Sequence, residues 1–179
     1  KNAGVRKLTA AAVIGALYAV LTVILQPISY GPVQFRVSEA LCVLPFFFPE
    51  AAYGLTIGCI LSNLFGPYGL LDIIFGSLAT LLAGLCTAAI GKRARGQKPV
   101  GWSACILACL MPVLFNGIIV SAELAWVSAA EKGLFWGTFA IYAAQISGEE
   151  AAVLFALGLP ALRFLLKNEK LAAFFKGLE

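Results

Sequence analysis

The chain has 179 residues, 61% of them apolar and 12% charged, with a net charge of +4 and a mean hydropathy of +0.92. Soluble domains average about 45–50% apolar and about 25% charged residues, and a small one keeps too much of its surface exposed to hide this composition. A water-soluble globule is therefore excluded, and so is a nucleic-acid binder, because the basic residues sit at the ends of apolar runs.

The sequence predicts an all-α integral membrane protein, one transmembrane domain over 1–179 with six helices. A membrane helix needs about 20 apolar residues. The first helix is expected over 8–26, ending before Pro27, with Ser29-Tyr30-Gly31-Pro32 as a turn. Its basic lead, Lys1 to Lys7, resembles that of a signal peptide, but the run is too long, lacks a small-residue cleavage site and is followed by more apolar runs. A short second helix is expected over 37–48. Pro49 and Glu50 start a third, 50–64, which ends before Phe65-Gly66-Pro67. The fourth spans 70–90, with Asp72 in its first turn, and a basic loop from Lys92 to Pro99 follows. The fifth spans 99–123. A long sixth, 134–166, is expected to be interrupted at Gly148-Glu149-Glu150 and at Pro160.

Cytoplasmic loops are rich in Lys and Arg. With six alternating helices, eleven of the thirteen basic residues fall on one side, leaving Arg36 and Lys132 on the other. Five helices would split the basic clusters, so the charge pattern itself favours six, with both termini in the cytoplasm. Small residues mark close helix contacts. Helix one carries Ala12-xxx-Ala16 and, beside it, Ala11-xxx-Gly15-xxx-Ala19. Helix three carries Gly54-xxx-Gly58-xxx-Ser62, and helix four carries Gly76-xxx-Thr80-xxx-Gly84-xxx-Ala88. Helices three and four suit internal packing, whereas helix one suits internal packing or a partner.

Chemistry is sparse. There is no histidine, which removes the commonest general base and metal ligand. Cys42, Cys59, Cys86, Cys105 and Cys109 form no CxxC pair and lie inside apolar runs, where they read as small buried hydrophobes. No metal or cofactor is expected. What stands out is polarity at membrane depth, where a carboxylate costs about 3 kcal/mol or more and is functional by default. On helix six, Thr138, Tyr142, Gln145 and Glu149 share one stripe. Glu149 lies about 22 Å along from Leu134, and Glu150 is expected to point elsewhere. On helix five, Pro112, Asn116 and Glu123 share a face, with Trp126 just beyond. Asn63, Asp72, Arg36 and Glu39 begin or end helices on the outer side. Each also suits a structural role: Asn63 as a cap, Asp72 against a helix dipole, Arg36 with Glu39 as an ion pair, Glu123 as a loop residue. Together they converge on one outward pocket rich in acceptors, with Tyr30, Phe35, Trp126, Trp136 and Tyr142 as nearby aromatics. Such a pocket suits a flat ligand that carries donors or a positive charge. A guanine-like edge and an aminomethyl group answer that description.

The run Val33-Gln34-Phe35-Arg36-Val37-Ser38-Glu39-Ala40-Leu41, followed by Leu44-Pro45, resembles the signature of QueT-type proteins, substrate-binding S components of energy-coupling factor (ECF) transporters. The resemblance continues through Gly54-Leu55, Gly58, Asn63, Asp72-Ile73, Gly76, Ala79-Thr80, Asn116 and Gly148-Glu149; Glu150 is not part of that pattern. It implies a six-helix bundle that captures a queuosine precursor, a 7-deazaguanine base, from outside. It also implies a transmembrane coupling subunit and two cytoplasmic ATPases as partners, with Ala12 and Ala16 facing the former. Gln34, within the signature, joins the expected substrate-binding residues. The chain has no GxxxxGK[ST] phosphate loop, so ATP hydrolysis would fall to partners. An intramembrane protease with paired glutamates would need histidine. A stand-alone permease is the main alternative, although the inverted repeat common in such carriers is not evident; a scaffold without a ligand is the third reading.

Overall fold

Long apolar runs in a solvent that offers no hydrogen bonds must satisfy their backbone internally, which favours helix. In the computed structural model, which describes residues 3–30, 35–67, 69–96, 99–128 and 132–177, no strand occurs among the described residues. The elements are α1 (Ala3–Ile24), a one-turn α2 (Gln26–Ser29), a 3-10 helix (Val37–Phe46), α3 (Ala51–Asn63) and α4 (Leu70–Ala94). Then come α5 (Trp102–Phe115), a π turn (Asn116–Val120) and α6 (Ser121–Ser128). A short 3-10 turn (Lys132–Leu134) leads into α7 (Phe135–Val153), a second π turn (Leu154–Gly158), α8 (Leu159–Lys167) and α9 (Glu169–Lys176).

The first helix ends before Pro27, at Ile24, and Pro27 sits in the first turn of the separate α2, where a missing N–H costs nothing. Two other expectations about these elements need correction. The second segment is a 3-10 helix rather than an α-helix. Its ten residues cover about 20 Å at the 3-10 rise, much as the thirteen of α3 do at the α rise. Finally, the long last helix runs through Gly148, Glu149 and Glu150 without a break; it is disturbed only at the π turn just before Pro160. Among the described residues, three stretches, Gly4–Ile24, Leu70–Ala94 and Trp102–Ser128, are long and apolar enough to cross a membrane. The 3-10 helix and α3 are apolar but shorter. Many large apolar side chains face outward, among them Leu8, Ile24, Ile57, Ile74 and Ile141, as expected when hydrocarbon is the solvent.

Contacts fix the relative directions. A Cβ on Gly54 would strike the carbonyl of Ala11, one on Gly15 that of Gly54, and one on Gly58 that of Gly15. Thus α1 and α3 run side by side in the same direction with their backbones touching. Lys7 and Glu50, 2.8 Å apart, tie their starting ends together. This contact consumes the Ala11/Gly15 row of α1 and leaves Ala12 and Ala16 exposed on the other side. α4 runs back against α3: Gly84 meets Ala52 and Gly76 meets Asn63. The 3-10 helix runs with α4, its Phe46 backbone against Gly91. α5 ascends; α7 and α8 descend beside it, with Gly117 against Ser147 and Arg163 donating to the Val100 carbonyl. Three segments point one way and three the other. One end of the bundle therefore gathers Lys7, Lys92, Arg93 and Arg163, with Glu50 paired to Lys7, and the other half gathers Glu39, Asp72, Glu123, Glu149 and Glu150.

Candidate functional site

The buried polar residues meet where the start of the 3-10 helix faces the first half of α4, the end of α5 and the middle of α7. They line a pocket of about 430 Å³, counted to its open mouth. Arg36 and Glu39 come from the 3-10 helix and its lead-in, and Gly76 and Thr80 from α4. Asn116 and Val120 come from the first π turn, and Ile146, Glu149 and Glu150 from α7. The space a water molecule can enter is about 40 Å³, enough for a few waters at about 10–15 Å³ each.

Two irregularities build this site. Pro112 has no N–H for the carbonyl of Ala108, one turn earlier; the Thr87 hydroxyl of α4 donates to that carbonyl instead, at 3.3 Å. The π turn at Asn116–Val120 adds a residue to the helix and turns Asn116 inward, where it is buried. Gly117 permits the close approach of α7, because a Cβ there would strike the Ser147 hydroxyl.

The carboxylates are held by specific partners. The Tyr18 hydroxyl donates to Oε1 of Glu39, and the Cys42 thiol donates to Oε2 at 3.0 Å. Glu150, which lines the same pocket as Glu39, accepts from Asn116 Nδ2 at 2.9 Å. Gln145 Nε2 donates to Glu149 Oε1 at 3.0 Å. Arg36 lies 3.6 Å from Asp72 and over the ring of Tyr30, 5.6 Å from its centre. Arg36 Nε, Asp72 Oδ2 and Glu123 Oε2 are buried here without a hydrogen-bond partner among the described residues.

Of the residues singled out from the sequence, Arg36, Glu39, Asn116 and Glu149 line the pocket. Asp72 and Glu123 are buried outside the lining and interact electrostatically with Arg36 and with each other. Asn63 bridges α3 and α4 by donating to the Asp72 carbonyl at 3.0 Å, and Gln145 orients Glu149. Glu150 does not point away: it is buried and lines the pocket beside Glu149. The expectation failed because the pocket is wide enough to take two adjacent residues of α7. Trp126 is 71% exposed, edge-on to Phe135, and Trp136 is exposed as well. The Tyr142 hydroxyl meets Ser128 at 3.1 Å on the exposed side. Neither tryptophan nor Tyr142 is available to stack on a ligand in this arrangement. Gln34 lies outside the described residues. Sequence reasoning missed Tyr18, Cys42 and the lining residues Gly76 and Thr80. A signal for Tyr18 existed: with Thr22 it places hydroxyls four residues apart on a helix that is otherwise apolar there. Among the described residues, no group of three His, Cys, Asp or Glu could hold a metal ion.

Comparison with known proteins adds the family. No solved structure matches the chain. It is 35% identical over 136 residues to the queuosine precursor transporter QueT of Lactococcus lactis subsp. cremoris (strain MG1363), covering 73% of this chain and 79% of that protein. The family model described as QueT transporter matches residues 8–167. The chain belongs to the QueT transporter family.

Proposed function

We propose that the protein is the substrate-binding S component of an ECF importer and captures a queuosine precursor, a 7-deazaguanine base such as aminomethyl-deazaguanine, from outside the cell. The observation that carries this reading is the pairing of acceptors and donors around one pocket. Glu149, braced by Gln145, offers an acceptor to the N–H edge of the base. Arg36 and Asn116 offer donors to the ring carbonyl. Val120 and Ile146 supply apolar faces. An aminomethyl cation would have carboxylates on two sides: Glu39 and Glu150 in the lining, Glu123 and Asp72 behind Arg36. The inner space is smaller than a bicyclic base, so binding requires these side chains to part, with the ligand's donors replacing the contacts they give up.

The same reading orients the chain. The basic end faces the cytoplasm, both termini are inside, and the pocket opens outward after six crossings. Ala12 and Ala16 form the face that docks on the transmembrane coupling subunit. Two ATPases supply the energy. The test is reconstitution: the protein, co-purified with a coupling subunit and two ATPases, takes labelled aminomethyl-deazaguanine into vesicles only when ATP is present. Uptake by the isolated chain without them would instead favour a stand-alone permease.

A further inference from the structure

Unlike the helices before them, α8 and α9 are strongly amphipathic, as suits segments that lie at the boundary of a bilayer. Asn168 ends α8 in an extended conformation. Its Oδ1 accepts from the Lys170 and Leu171 amides at 3.1 and 3.2 Å, which caps α9. Phe175 then stacks on Phe47 beside the end of the 3-10 helix, ring centres 5.5 Å apart, and ties α9 to the bundle. The corner so formed carries an open concavity lined by Phe164, Lys167, Asn168 and Lys170. Among the described residues, no carboxylate lines it. Trp102, 59% exposed at the start of α5, marks the depth of this end, since exposed tryptophan favours the boundary between hydrocarbon and headgroups. Arg163 lies over that ring, 4.1 Å from its centre, and donates to the Val100 carbonyl, so its charge is already engaged. Phe164, next in sequence, is 61% exposed. Lys167 lies one turn further out than Arg163, about 6 Å along α8. Lys167 and Lys170 are both exposed, and neither is in a salt bridge among the described residues.

We propose that the α8–α9 corner binds one anionic phospholipid, its phosphate held by Lys167, Lys170 and the Asn168 amide while an acyl chain lies along Phe164. Capping α9 uses Asn168 Oδ1, which leaves Nδ2 as a donor for a phosphate oxygen. Two ammonium groups in a concavity that no described carboxylate lines favour a headgroup of net negative charge over a zwitterionic one, whose choline they repel. A free phosphate could meet the same donors but would leave Phe164 uncovered, so the occupant is a lipid. The site lies at the opposite end of the bundle from the pocket and is independent of the ligand reading above.

The test is native mass spectrometry of the full chain released from nanodiscs of equal parts phosphatidylglycerol and phosphatidylcholine. Wild type retains phosphatidylglycerol over phosphatidylcholine by roughly thirty-fold, about five-fold from each lysine. Lys167→Gln and Lys170→Gln each lower that preference about five-fold, and the two together abolish it. Lys92→Gln with Arg93→Gln removes two exposed charges from the same end of the bundle and leaves the preference intact. Soluble glycerophosphate, which has the headgroup without the chains, does not displace the bound lipid. If the double Lys167→Gln, Lys170→Gln variant does not fold, the two single variants carry the same expectation. The proposal is overturned if wild type retains both lipids equally, or if the Lys92 and Arg93 substitutions matter as much as those at Lys167 and Lys170. Displacement by glycerophosphate would also overturn it, by making the corner a site for free phosphate.

Discussion

Replacing Arg36 with glutamine removes the cation that lines the pocket. Its guanidinium lies 3.6 Å from the Asp72 carboxylate, with the two side chains 14% and 4% exposed, and Asp72 Oδ2 has no hydrogen bond to fall back on. Breaking a buried pair from one side costs about 3–5 kcal/mol, because the remaining charge stays buried and uncompensated. For a chain of this length each kcal/mol moves the melting temperature by about 2–4 °C, so Arg36→Gln lowers it by roughly 6–20 °C. Adding Asp72→Asn in the same chain removes the stranded charge and recovers most of the loss. Thermal unfolding followed with a thiol-reactive dye suits this protein, since Cys42, Cys59, Cys105 and Cys109 are buried when it is folded. A melting temperature within about 2 °C of wild type for Arg36→Gln, or a double variant no more stable than the single, would refute the reasoning.

Glu149→Gln keeps the shape of the side chain but loses its charge and an acceptor, and it weakens aminomethyl-deazaguanine binding by about ten- to a thousand-fold in a calorimetric titration. Glu150→Gln, at a side chain already engaged by Asn116, changes affinity by less than about ten-fold; the reverse order of severity would exchange the two roles. Ala12→Trp or Ala16→Trp abolishes co-purification with the coupling subunit while leaving ligand titration unchanged, and lost binding with assembly intact would reverse that assignment. Arg95→Cys on a cysteine-free background reacts with an impermeant maleimide only from the cytoplasmic side; labelling from outside would sink the six-crossing topology.

Much of the site was legible because membrane depth makes polarity conspicuous. Glu39, Asp72, Asn116, Glu123 and Glu149 all stood out in apolar runs, and all are buried. Phase along the helices could not be read. Expecting Trp126 just beyond the face shared by Pro112, Asn116 and Glu123 assumes an unbroken α-helix, but the π turn at Asn116–Val120 adds a residue and rotates α6 by about 100° relative to α5. Glu150 was misplaced for a different reason: angle around a single helix does not reveal how wide a wedge its neighbours leave open. The 3-10 form of Val37–Phe46 was also hidden, since its composition suits an α-helix equally well. The Ala11/Gly15 and Ala12/Ala16 rows looked alike in sequence. Only packing separates them, the first pressed on Gly54 and Gly58 and the second left exposed.

The central claim is that this pocket holds a deazaguanine base. Titrating the purified chain with aminomethyl-deazaguanine tests it most directly. Saturable one-to-one binding is expected, which Glu149→Gln weakens and which guanine, lacking the aminomethyl group, matches only at lower affinity. An absence of binding by folded wild-type protein, or equal binding by the Glu149→Gln variant, would contradict it.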